Sequence, residues 1–148
     1  MRRTPHGRML VVSLLAALLI GALWPAPAVG MTRSEGKLLR AMNSTRKAHG
    51  LHRLKSGDRL HHAAKSWAVH LRRNDTFYHR SLPSGQSENM GWLTCRRHWA
   101  KKLVGMWLAS PTHRVHLLDR HARAVGVGVS KGHYLGYSCV RLAVTDFR

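Results

Sequence analysis

The spacing of apolar residues changes along this chain from a helical period to strand alternation, and this change restricts the fold class most strongly. Apolar side chains between residues 60 and 71 recur on one helix face: Leu60, Ala63, Ala64, Trp67, Ala68 and Leu71. Residues 125–129 instead alternate Val with Gly, and residues 135–144 are rich in strand-forming side chains. Helices followed by an antiparallel hairpin predict an α+β domain built in layers.

Local patterns predict three further helices and one short strand. The helices cover about Thr32–Ala48, Arg97–Ala109 and Ser110–Leu118, and the strand covers Glu88–Trp92. The turn of the hairpin is predicted at Lys131–Gly132, because Gly readily adopts the positive φ values of tight hairpin turns. There is no internal repeat, and about 120 residues after the N-terminal segment suffice for one domain with its own core.

The first 28 residues have the pattern of a secretory signal peptide. Three arginines precede an uncharged apolar run from Met9 to Trp24, and Ala26-Pro27-Ala28 places small residues at a cleavage site near Ala28. We therefore expect a secreted protein, with association with the cell envelope as an option, and a mature domain covering residues 32–147. An uncleaved anchor is the alternative, although the run is short for a membrane-spanning helix, which needs about 20 apolar residues.

Two cysteines, Cys95 and Cys139, lie in the mature region. In an oxidising compartment their expected state is one disulfide bond. Closing a loop of this length would stabilise the fold by about 4 kcal/mol in the chain-entropy model. A pair of buried thiols is the alternative, and secretion argues against it.

Positive charge dominates the composition. Of the 25 Lys and Arg residues, three lie in the predicted signal peptide, which leaves 22 against 6 Asp and Glu residues and a net charge of +16. Such a field favours anionic lipid headgroups or anionic envelope polymers. The basic residues are scattered, no nucleic-acid-binding motif is present, and export removes most nucleic-acid partners, so no nucleic acid is expected.

Two histidines and one glutamate, His79, Glu88 and His113, are the candidate chemical groups. Ser110 suits a helix N-cap and Pro111 the first helical position, so His113 falls in a first helical turn, where the helix dipole favours the neutral imidazole. Brought together, the three side chains would form a metal or proton-transfer site. The competing interpretation is structural: 12 of the 148 residues are His, and a His–Glu contact often only satisfies hydrogen bonds.

An ordered series of short motifs runs through the mature region. It comprises Asn43-x-x-Arg46, His79, Glu88-Asn89, Trp107-x-x-Ser110-Pro111-x-His113-Arg114 and Gly126-Val127-Gly128. The series resembles the CAP superfamily of cysteine-rich secretory proteins, antigen 5 and plant pathogenesis-related proteins, in its compact bacterial branch. The resemblance implies a three-layer α-β-α sandwich with a central antiparallel sheet.

The resemblance also implies a cleft in which two His residues and acidic groups can take a divalent cation. His79, Glu88 and His113 match three of those positions. Many eukaryotic members have a further Glu after the Trp of the third helix, whereas this chain has Ser110 at the comparable place and no acid nearby. Two neutral imidazoles and one carboxylate would suit a tetrahedral Zn²⁺ with an open water position.

The expected function is binding without catalysis. The family resembled here is associated with lipid or sterol binding and with extracellular interactions, which implies a secreted monomer whose partner is a lipid or an anionic envelope polymer. Asn89 and Trp92, beside Glu88, are candidates for the cleft wall.

One alternative function is that of a divalent-metal-dependent hydrolase of peptide or cell-wall polymer that uses His79, Glu88 and His113. The other is a polyanion-binding envelope protein in which the cleft has no part. No catalytic residue is assigned, and the sequence leaves open whether the protein is an enzyme.

Overall fold

The structure, a computed structural model, describes residues 30–148, so the predicted signal peptide lies outside the described residues. Its elements in chain order are α1 (Arg33–Ala48), β1 (Lys55–Ser56), α2 (Asp58–Arg73), β2 (Ser87–Thr94), α3 (Trp99–Ala109), α4 (Pro111–Leu117), β3 (Ala124–Tyr134) and β4 (Tyr137–Phe147). The four predicted helices and the β2 strand are present, whereas β1, which has only two residues, was not predicted. Among residues 30–148, no helix has both the length and the apolar character needed to span a bilayer.

The four strands form one sheet in the order β1-β3-β4-β2. The β3–β4 hairpin and the β2–β4 pair are antiparallel, and only the short β1 runs parallel to its neighbour β3. The predicted α+β class with a mainly antiparallel central sheet is therefore confirmed.

The hairpin turn lies four residues later than the sequence predicted. Strand β3 continues through Lys131 and Gly132 to Tyr134, and the turn is formed by Leu135 and Gly136, with φ angles of 47° and 80°. Two successive positive φ values are typical of the turn type that matches the twist of paired strands. The predicted turn was wrong because Gly132 sits at an irregularity in the ladder between Gly132 and Tyr134, not at its end.

The helices cover both faces of the sheet, each over its own apolar cluster. One cluster joins α1, α3 and α4 to the face that carries Val125, Val127 and Val129. The other joins α2 to the opposite face through side chains that include Val144 and Leu142. The result is the three-layer α-β-α arrangement.

Helix α2 rests directly on the backbone of β3. A Cβ atom at Gly126 would lie 2.1 Å from the Leu60 carbonyl oxygen, and one at Gly128 would lie 2.2 Å from that of Ala64. These distances are far below van der Waals contact, so only Gly fits at both positions. The Val-Gly alternation thus gives β3 one face of side chains and one face against which a helix packs without them.

Two polar residues of α1 fix the connections that follow it. The Asn43 side chain accepts from the Leu54 backbone N–H and donates to the Leu54 carbonyl, at 2.8 and 3.0 Å. The fully buried Arg46 donates to the carbonyls of Leu117 and Asp119, at 3.0 and 2.9 Å. A buried guanidinium is costly unless such bonds satisfy it, so Arg46 ties the end of α4 to α1.

Cys95 and Cys139 form a disulfide bond, as predicted, with their Cα atoms 5.4 Å apart. Beside the bond, the Cys95 N–H donates to the Cys139 carbonyl at 2.9 Å. Cys95 directly follows β2 and Cys139 lies in β4, so the bridge attaches the start of the connection from β2 to α3 to the sheet.

Candidate functional site

Two buried carboxylic acids lie side by side where β2 pairs with β4. Glu88 and Asp146 are direct partners in the register of the two strands, so their side chains share the face that α2 covers. The Glu88 side chain is 2% exposed and that of Asp146 is fully buried. Burial of two neighbouring carboxylates is costly unless a counter-charge accompanies them.

Arg80 supplies that counter-charge. Its guanidinium forms an ion pair with Asp146 Oδ2, its Nε lies 3.5 Å from Glu88 Oε2, and its Nη1 donates to the Ala63 carbonyl at 2.8 Å. The guanidinium carbon also lies 5.8 Å from the centre of the Trp67 ring, within the range of a cation–π contact. These contacts attach the connection between α2 and β2 to both elements.

Burial raises the pKa of Glu88 and that of Asp146, against the opposing effects of His79 on Glu88 and of Arg80 on both. Glu88 Oε2 and Asp146 Oδ1 are buried and lack a hydrogen-bond partner. The raised pKa values favour the protonated form of these groups, in which one carboxyl group can donate a hydrogen bond to the other.

His79 joins the acidic pair from the solvent side. Its Nδ1 lies 2.8 Å from Glu88 Oε1, and its side chain is 58% exposed. The buried carboxyl group is thus connected to solvent through one exposed imidazole.

His113 approaches from α4, with Ser110 at the N-cap and Pro111 at the first helical position, as predicted. Its Nδ1 shares a 2.8 Å hydrogen bond with Ser110 Oγ. Burial lowers the pKa of His113, and the neighbouring His79 and His116 lower it further. The neutral form is therefore favoured, although burial, and not the helix dipole alone, is the main cause.

Asn89 and His116 hold α4 against β2. Asn89 Nδ2 donates to the His113 carbonyl at 2.9 Å, and Asn89 Oδ1 accepts from His116 Nδ1 at 3.0 Å. The same His116 nitrogen lies 3.2 Å from the Glu88 carbonyl. Because both of its partners are acceptors, His116 Nδ1 carries the proton. Asn89, which is fully buried, therefore joins β2 to α4 behind the cleft.

A cleft of about 480 Å³ opens between these groups. His79, Glu88 and His113 all line it, together with Arg80 and His116. The three residues singled out from the sequence therefore meet at one place.

Trp92 does not line that cleft. It lies in a neighbouring groove of about 680 Å³, where its ring is 5.4 Å from that of Tyr137 and 5.7 Å from that of Tyr134. His113 lines both depressions and separates them. The side chains of Glu88 and Trp92 share a sheet face but lie four residues apart along β2, which places Trp92 beyond the cleft.

The donor atoms of the cleft do not fit a three-ligand metal site. No group of three or more His, Cys, Asp or Glu side chains in residues 30–148 is placed to hold a metal ion. Glu88 Oε1 already contacts His79, His113 Nδ1 contacts Ser110, and the Arg80 guanidinium brings a positive charge to the carboxylates. The contact between Glu88 and the exposed His79 allows proton exchange between Glu88, His79 and solvent.

Three residues of the site were missed from the sequence: Arg80, Asp146 and His116. Asp146 extends the alternation of Leu142 and Val144 on one face of β4, so a longer predicted strand would have placed it on that face, although not beside Glu88. His116 lies one helical turn after His113. Arg80 lies in a connection without periodicity, and nothing in the sequence indicated its role.

The sequence profile described as "CAP: Cysteine-rich secretory protein family" matches residues 39–145. The chain belongs to the CAP family. No curated protein sequence matches it significantly.

Solved structures show the same CAP fold at low sequence identity. An outer surface protein of Borrelia burgdorferi has a TM-score of 0.56 and 20% identity, and the match covers 78% of this chain and 92% of that one. BmVAL-1 has a TM-score of 0.60 and 15% identity, with 84% and 81% covered. A cysteine-rich secretory protein of Staphylococcus aureus has a TM-score of 0.55 and 20% identity, and the match covers 82% of this chain but 40% of that longer one.

Proposed function

We propose that this CAP protein is secreted and acts outside the cell or at its envelope as a non-catalytic binding protein, with an anionic polymer or lipid as its partner. The placement of its carboxylates carries the proposal. Glu35, Glu88 and Asp146 are buried and contact internal basic groups, which leaves three acidic residues for the rest of the protein: Asp58, Asp75 and Asp119. The basic residues of the surface therefore have few carboxylates to neutralise them, and such a surface attracts polyanions.

The arrangement of the cleft supports binding over catalysis. Its buried carboxyl groups are in contact with Arg80 and His79, and its neutral imidazole, His113, bonds to Ser110. These contacts join β2, β4, α4 and the connection before β2. Groups that link four segments of the chain through such contacts are expected to maintain the fold.

Retention on isolated bacterial envelopes tests the proposal. We expect the mature protein to sediment with envelopes at low salt and to be released as salt rises, because screening and counterion return weaken polyanion binding. The same preparation should release no soluble fragments from casein or peptidoglycan, with Zn²⁺ or with a chelator. A protein that stays in solution at low salt would contradict the binding proposal.

Hydrolysis is the second candidate function, favoured by one observation. Glu88 has a raised pKa and contacts the exposed His79 in an open cleft, as a general acid–base pair would. If fragments are released, Glu88→Gln should abolish the release, and the exposed Arg53→Gln should leave it unchanged. Release that persists in Glu88→Gln would assign the activity to another part of the chain.

A further inference from the structure

A second depression, which we call the basic groove, lies between α1 and the connection from β2 to α3, with a volume of about 840 Å³. Helix α1 contributes Arg33, Lys37 and Arg40 to one side. Arg96, Arg97, Lys101 and Arg141 come from the connection, α3 and β4 on the other side. No Asp or Glu lines the groove.

The positive charges of the basic groove have no carboxylate partners. The salt bridges of residues 30–148 involve His61, Lys65, His79 and Arg80, none of which belongs to the groove. Like charges at the spacing of Arg33 and Lys37 on a helix repel one another. An external anion would remove this repulsion.

Arg141 marks the floor of the basic groove. Its guanidinium carbon lies 5.4 Å from the centre of the Trp99 ring, and Trp99 is 4% exposed. Its Nε and Nη1 atoms are buried and lack a hydrogen-bond partner among residues 30–148. Its third guanidinium nitrogen, Nη2, is not one of these buried atoms, and a guanidinium N–H is a suitable donor to a phosphate oxygen.

The disulfide holds the groove in shape. Cys95 also lines it, and the bridge to Cys139 fixes the residue that precedes Arg96 and Arg97. Arg96 Nη2 further donates to Thr94 Oγ1 at 3.0 Å. A site whose cations are already in place loses less entropy when it binds a ligand.

We propose that the basic groove binds a linear phosphodiester polymer that lies along α1. Arg33 and Arg40 are separated by about 10 Å along the helix axis, at 1.5 Å per residue, which is enough for successive phosphates to meet successive cations. The charges line both sides of a concavity, whereas a flat lipid surface would be met by charges on a protruding face. This inference rests on the proposed binding function, for which it names the site and the ligand class.

Two triple variants of equal charge test the site. Arg33→Gln/Arg40→Gln/Arg97→Gln removes three groove cations, and Arg53→Gln/Arg59→Gln/Arg73→Gln removes three exposed cations elsewhere. Binding to deacylated poly(glycerol phosphate) would be measured by calorimetry across a salt series, with neutral dextran as a control. The groove triple should lose about tenfold or more in affinity and lower the salt slope by about three, while the control triple should change the affinity about twofold.

The other results would overturn the site or its ligand class. Equal losses in the two triples would show that binding follows net charge and not the groove. Binding to phosphatidylglycerol vesicles that the groove triple abolishes, without binding to the polymer, would assign the groove to a membrane surface. If wild type is retained on envelopes and the groove triple is retained equally, the proposed function stands and the groove inference fails.

Discussion

The cleft and the basic groove both concentrate charge, but they use it in opposite ways. In the cleft, Glu88 and Asp146 are buried and held by Arg80 and His79. In the groove, seven basic side chains line a concavity without one carboxylate. Charges that are paired inside the protein stabilise the fold, whereas unpaired charges at the surface can bind a ligand. The residues most suggestive of catalysis are therefore expected to matter for stability, and the less distinctive surface cations for binding.

The largest effect is expected when Arg80 is removed. Arg80→Met leaves two buried carboxylates without their counter-charge, so the free energy of unfolding at pH 7 should fall by about 3–5 kcal/mol. Urea unfolding measures it, and Arg53→Met, at an exposed site, should stay within about 0.5 kcal/mol of wild type. A loss below about 1 kcal/mol for Arg80→Met would show that the cleft charges are not the internal support described above.

The deficit of Arg80→Met should also depend on pH. The folded-state pKa values of Glu88 and Asp146 lie above their ordinary values of 4.5 and 3.8. For such groups, stability is fully present below the unfolded pKa and is lost as pH rises through the folded pKa. The loss of unfolding free energy in Arg80→Met should therefore become smaller as the pH falls toward 4.5, and urea unfolding curves at several pH values measure it. A loss that stays constant with pH would show that the two carboxyl groups do not cause it.

The disulfide gives the next effect. Cys95→Ser/Cys139→Ser should lower the stability by about 4 kcal/mol at most, since the bridge closes a separation of 44 residues. It should also weaken polymer binding, because the bridge fixes the segment that carries Arg96 and Arg97. Measured under conditions where the variant is folded, unchanged affinity would show that the groove does not depend on this constraint.

A smaller effect is expected for His113. His113→Gln loses a hydrogen bond to Ser110, at a cost of about 1 kcal/mol at pH 7. In wild type the pKa of His113 in the folded protein is below the ordinary 6.5. The stability that neutral His113 contributes is therefore fully present above pH 6.5, and it is lost as the pH falls through the folded-state pKa. The melting temperatures of the two proteins should converge at acidic pH, and a widening gap would contradict this assignment.

The smallest effects on stability are expected for the groove triple and for Zn²⁺. Removal of three exposed, unpaired cations should change the free energy of unfolding by about 0.5 kcal/mol or less. Zn²⁺ should leave the melting temperature unchanged, because no three His, Cys, Asp or Glu side chains of residues 30–148 are placed to hold a metal ion. A rise that His113→Ala abolishes would instead support a metal site in the cleft.

The sequence predicted the elements better than the contacts between them. The helical spacing of Leu60–Leu71 and the alternation of Val125–Val129 identify their elements because each depends on one short segment. The turn was misplaced by four residues because a Gly within a strand resembles a Gly in a turn. The two-residue β1 carries too little pattern to detect.

The candidate site was predicted only in part, for a similar reason. His79, Glu88 and His113 could be selected because their residue types are chemically distinctive. Asp146 and Arg80 join them through strand register and through an aperiodic connection, and both depend on the tertiary fold. The basic groove was not predicted, since its cations are scattered in sequence and only α1, α3 and β4 bring them together.

The contact between α2 and the glycines of β3 sets the distance between helix and sheet that the residues of the cleft must span. At Gly126 and Gly128 the backbone of β3 lies against the backbone of α2, so no side chain between them can change conformation to adjust the distance between helix and sheet. Arg80 anchors to the carbonyl of Ala63, on the stretch of α2 between those two points, and reaches from there to Asp146 on the sheet. A methyl group added at Gly128 would push α2 outward as a rigid body and stretch that span. The spacing between α2 and the sheet thus determines whether the charge network between them can close.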